Sequence, residues 1–79
     1  MQLYNEPITT VGTTPSGVPE TLTWRGGRMH VRSVREVWQA PGEVRLYRVD
    51  VTDREGRLGI AEIAQDGLSG PWRLRHLWL

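Results

Sequence analysis

Trp24-Arg25-Gly26-Gly27-Arg28-Met29-His30-Val31-Arg32 and Pro71-Trp72-Arg73-Leu74-Arg75-His76-Leu77-Trp78-Leu79 are the stretches that decide the fold class of this 79-residue chain. Both alternate apolar with polar residues, so each can bury one face and leave the other in water. Gly26-Gly27 reads as a two-residue hairpin loop, because glycine accepts the positive φ that tight hairpin turns require. In that register Trp24 lies opposite Met29 and Leu22 opposite Val31 on an apolar face. Arg25 faces Arg28 across the turn, and Thr21, Thr23, His30 and Arg32 extend the polar face.

Beyond Arg32 the apolar phase slips from Met29 and Val31 to Val34 and Trp38, which predicts a β-bulge at Arg32-Ser33. Ala40-Pro41-Gly42-Glu43 and Asp53-Arg54-Glu55-Gly56 read as turns around a strand at 44–52. Across that first turn, Glu36 is a better partner for Arg48 than Arg35 is. Residues 57–65 pair with 72–79 across Gly67-Leu68-Ser69-Gly70. Setting Asp66 opposite Pro71 places Ile63 against Leu74, Ala61 against His76 and Gly59 against Trp78 on the core face. Glu62 then falls opposite Arg75 on the reverse face, a favourable cross-strand pair.

Residues 1–19 are turn-rich and irregular, with Tyr4 and Ile8-Thr9-Thr10-Val11 supplying a short edge strand, and 20–79 form a β-meander. The expectation is one all-β domain: a small, strongly bent antiparallel sheet or SH3-like open barrel of five or six strands.

The net charge is +1, and all ten basic residues are Arg. Absent Lys and Phe and a single Asn fit a GC-rich codon bias. With no Cys, disulfides and thiolate zinc sites are excluded. A chain this short buries only about 60–65% of its unfolded surface, so association with a second copy is a plausible supplement. No stretch is apolar enough to span a membrane and no leader is visible, so a cytoplasmic location is expected.

Trp24-Arg25-Gly26, then Val31-Arg32-Ser33-Val34 and Trp38, resemble the W-R-G…V-R-x-V-x-x-x-W core of a family of short bacterial domains of unknown function. The tail is similar too: Gly59-Ile60-Ala61-Glu62-Ile63-Ala64-Gln65-Asp66, then Ser69-Gly70-Pro71-Trp72-Arg73-Leu74 and Trp78. Tyr4 and Pro7 match the opening Tyr-x-x-Pro. The resemblance covers nearly the whole chain. The pattern departs at the first hairpin, where the family carries an aromatic in place of Met29 or His30 and a single Gly in the turn. Similar domains are appended to inactive Y-family polymerase relatives of the ImuB type, which implies a link to DNA damage tolerance. The family has no established activity, so the resemblance implies no catalytic or binding residue.

The candidate anion or nucleic-acid site is Arg25, Arg28, His30 and Arg32, whose planar guanidinium heads suit phosphate. The competing reading is a solvated face paired with Asp50, Asp53 or Glu55. The four Trp are expected in the core, with Trp38 nearest the exposed turn. His76 is expected to be semi-buried on the core face, with no second ligand at metal spacing. Glu62 and Asp66 stand about 13 Å apart on one strand face, too wide for paired acid–base work. No enzyme activity, metal or cofactor is expected.

Two functions follow. One is a binding or adaptor module that contacts nucleic acid or a DNA-repair protein through its Arg face. The other is a structural or homo-oligomerisation unit that uses an apolar patch of Leu58, Ile60, Leu77 and Leu79.

Overall fold

The computed structural model describes residues 2–42, 44–67 and 70–78. Every regular element among them is a strand: β1 (Gln2–Pro7), β2 (Thr10–Thr13), β3 (Pro19–Trp24), β4 (Gly27–Ala40), β5 (Val44–Thr52), β6 (Leu58–Asp66) and β7 (Trp72–Trp78). They form one antiparallel sheet in the order β1-β7-β6-β5-β4-β3-β2, curled into a half-barrel. The all-β expectation holds, with seven strands in place of five or six. No helix among the described residues is long and apolar enough to cross a membrane.

The additional strand comes from the N-terminal segment. It supplies two edge strands on opposite sides of the sheet, not one. The chain crosses between them at Ile8-Thr9: the Ile8 amide donates to the Trp72 carbonyl (3.0 Å) and the Thr9 amide to the Thr23 carbonyl (2.9 Å). One bent segment thus ties the last strand to the first hairpin, and buried Ile8 joins the core beneath it.

Side chains complete this seam. The Glu6 carboxylate accepts from Trp24 Nε1 at 3.2 Å and from both Nε (2.9 Å) and Nη2 of Arg25. Tyr4 meets Trp24 edge to face at 4.6 Å, and the Arg25 guanidinium lies over both rings. This arrangement corrects the first turn. Trp24 pairs with Gly27 and Leu22 with Met29, so the loop is Arg25-Gly26, and Arg25 does not face Arg28. Both loop residues have positive φ, 50° and 74°. An arginine in that region is unfavourable by itself; here Glu6, Tyr4 and Trp24 hold it.

The core lies inside the curl. Leu22, Met29, Tyr47, Val49, Val51, Ala61, Ile63, Leu74 and Leu77 fill it, with Trp24 and Trp72 packed at its margin. Strand β4 reaches this core through two bulges, where a single one was expected. Val31 pairs with Val51, Ser33 with Asp50, Val34 with Val49, Glu36 with Arg48 and Val37 with Tyr47. The bulge at Arg32-Ser33 and the Glu36–Arg48 pairing were both anticipated. The second bulge, at Arg35, reverses the phase again, so Trp38 lies on the outer face beside Leu46.

A bulge on β7 corrects the second hairpin. The register holds near the turn, where the Asp66 amide donates to the Pro71 carbonyl and Ile63 pairs with Leu74. Gly70 is required there, because a Cβ on it would stand 1.6 Å from the Asp66 carbonyl oxygen. Past Leu74 the extra residue Arg75 shifts the pairs to Glu62–His76, Ala61–Leu77 and Ile60–Trp78. Leu77 therefore enters the core, while His76 and Trp78 move to the outer face. Burying Leu74 and Leu77 together, at 0% and 5% exposure, is the gain that favours this register.

Two outcomes test this packing. Leu74→Ala should cost about 2–5 kcal/mol in urea denaturation, a large share of the stability of a domain this small. Glu6 should make stability pH-dependent. Its hydrogen bond from Arg25 holds the carboxyl below its ordinary value. The contribution is therefore fully present above about pH 4.3 and is lost as pH falls through the lowered folded value. Glu6→Gln should reduce stability at neutral pH and flatten the acid decline in urea titrations. An unchanged decline would mean that the carboxylate does not hold the seam.

Candidate functional site

The outer sheet face carries the polar chemistry. On β4 the alternation with buried Met29 turns Arg28 and His30 outward, beside Thr23 and Thr21 of β3. Each bulge then adds an outward residue: Arg32 and Ser33 are both exposed, as are Arg35 and Glu36. The result is a row of Arg28, His30, Arg32 and Arg35 along one strand, roughly 20 Å long at the usual rise.

Partners divide this row. Arg35 donates from Nε to Asp50 at 2.8 Å. The Ser33 hydroxyl, and after it Arg35, hold the Asp50 carboxyl below its ordinary value, and the nearby charge of Arg32 acts in the same direction. Among the described residues, neither Arg28 nor Arg32 forms an ion pair. Asp53 and Glu55, the other proposed acceptors, are engaged by Arg57. Arg25 stands apart from the row in its bond to Glu6.

Next to the row lies a second cluster. The Arg48 guanidinium sits 5.7 Å from the Trp38 ring centre and 5.5 Å from that of Trp78, a cation–π arrangement on both sides. It donates to buried Glu62 at 3.1 Å and to exposed Glu36 at 3.4 Å. Glu62 also pairs with His76 Nδ1 at 3.1 Å, and the His76 ring stacks on Trp78. His76 is thus off the core face, and Glu62 is bonded to Arg48 and His76, not to Arg75. Arg48 Nε is buried without a hydrogen-bond partner.

Of the predicted apolar patch, Leu58, Ile60 and Leu77 are among the described residues. Leu77 is in the core and Leu79 lies outside the described residues. Leu58 and Ile60 remain, on the outer face of β6, in the same rows as Thr52 and Asp50. Leu58 is 63% exposed. The structure therefore brings the basic candidates Arg28, His30 and Arg32 onto the same face as Leu58 and Ile60. Two shallow clefts lie between them. One, of about 360 Å³, is lined by Arg32, Ser33, Asp50, Val51, Leu58 and Gly59. The other, of about 300 Å³, is lined by Arg35, Arg48, Ile60 and Trp78.

Sequence reasoning missed Arg35, Arg48 and Trp78 as members of this face. A signal was present in the three-residue spacing of Val31, Val34 and Val37, which implies a bulge in each interval and an outward residue at each. No group of three or more His, Asp or Glu among the described residues could hold a metal ion.

The Arg48 network has an unequal energetics that can be measured. Glu62→Ala, which strands Arg48 and His76 beside a buried site, should cost about 2–4 kcal/mol. Glu36→Ala should stay within about 1 kcal/mol, because that partner is exposed and screened. Equal losses in thermal or urea denaturation would contradict this division. Comparison of the chain with protein-family models, with curated proteins and with solved structures found no match.

Proposed function

We propose that this chain is a small half-barrel binding module, not an enzyme, and that it contacts the sugar-phosphate backbone of nucleic acid through Arg28, His30 and Arg32. The supporting observation is that these three stand exposed in one line on β4 while forming no ion pair among the described residues. Guanidinium heads held open to solvent on a rigid strand are suited to bidentate phosphate contacts. Arg25 is at the hairpin tip and would have to exchange Glu6 for a phosphate, so it contributes less. With a net charge of only +1, affinity is modest and depends on local charge. A place in DNA damage tolerance, beside a polymerase relative or another repair protein, rests on the family resemblance alone.

The test is fluorescence anisotropy of labelled DNA and RNA with purified protein across a salt series. Binding should weaken with salt, and Arg28→Ala with Arg32→Ala should lower affinity about tenfold. The same double variant should flatten the log–log salt slope on single strands by about 1.4, for two lost phosphate contacts. A double variant that binds like wild type would sink the proposal.

A further inference from the structure

The outer face holds more than cations. Trp78 of β7 pairs with Ile60 of β6, and Ile60 and Leu58 form an apolar row parallel to the β4 row, two strands away from it. The separation is two inter-strand steps, about 9–10 Å. Between the rows lies β5, whose Asp50 is already bonded by Ser33 and Arg35 and whose Arg48 is stacked against Trp78. Each of the two clefts on this face is lined by an arginine and an apolar side chain.

We infer that this face takes single-stranded nucleic acid, with phosphates on the β4 row and unstacked bases on Leu58, Ile60 and Trp78. The inference rests on the backbone-contact reading above and adds the strand form and the base contacts. Charge complementarity sets the side on which the backbone lies. Apolar and aromatic surface beside it is of no use to a duplex, whose bases are stacked inside and whose edges are reached only through grooves. A single strand can turn its bases onto that surface. The cleft lined by Arg35, Arg48, Ile60 and Trp78 is the natural seat for one base. Recognition of this kind is tolerant of sequence, because the apolar row offers few fixed hydrogen-bonding groups to read base edges.

Three probes of equal length separate the possibilities: oligo(dT), an abasic sugar-phosphate strand, and a blunt duplex. Wild-type protein should bind oligo(dT) about tenfold more tightly than either of the others, with quenching of tryptophan fluorescence. Leu58→Ser with Ile60→Thr should bring oligo(dT) down to the abasic level and leave abasic affinity unchanged, with the fold checked by circular dichroism. Equal binding of oligo(dT) and the abasic strand, or tighter binding of the duplex, overturns the inference. In that case loss of binding in the Arg28/Arg32 variant would still support backbone contact. No binding of any probe overturns both readings. The comparison of probes on wild-type protein stands even if the apolar variant fails to fold.

Discussion

Closure of the half-barrel rests on one crossing, where the chain passes from β1 to β2 at Ile8-Thr9 and bonds β7 on one side and β3 on the other. The strands on either side of it cover β7 and β3, which would otherwise each present a row of unpaired backbone groups. The Glu6 carboxylate sits beside this crossing and gathers Trp24 and Arg25 from the first hairpin. That hairpin loop holds an arginine at positive φ, and the bond to Glu6 together with the Tyr4 and Trp24 rings explains why it is tolerated. The Trp24-Arg25-Gly26 triplet is therefore architectural: a wedge, a latch and a turn.

With the sheet curled in this way, its two faces have different tasks. The inner face needs volume, and the bulges deliver it by bringing Val34 and Leu77 to the core. The same bulges push residues outward at higher density than a regular strand allows. On β4 those residues are Arg32 and Arg35, and on β7 the register change turns His76 and Trp78 outward. Core packing and the composition of the outer face are thus coupled: the irregularities that seat Val34 also build the row of arginines.

Much of this was legible in the residues. The alternation in 20–32 and 72–79, the turn residues and the Arg32-Ser33 slip led to the sheet, its antiparallel order and the outward placement of Arg28, His30 and Arg32. What was not legible came from long-range choices. Gly26-Gly27 is locally the better loop, yet Arg25-Gly26 is used because Glu6, distant in sequence, binds Arg25. An alternating pattern cannot reveal that Arg75 is an extra residue, since Leu74 and Trp78 share a parity that a regular strand would keep. Only the simultaneous burial of Leu74 and Leu77 decides it. Arg48 was invisible as a centre because Trp38 and Trp78 were assigned to the core.

The crossing also governs how the fold can be reached. Strand β1 pairs with β7, so Gln2 meets Leu77 and Leu3 meets His76, nearly the full length of the chain apart. The loop that closes this contact is close to the largest the chain permits, and its entropy must be met before the contact gives any return. The meander from β3 to β6 can form from neighbouring hairpins, but on a ribosome the first strand made must wait for the last strand before it has a place to go. Until then the β7-facing edge of β6 is unpaired, whereas β2 can already cover β3 through their local hairpin. The interval between synthesis and closure is therefore when this chain is most open to pairing with another copy of itself.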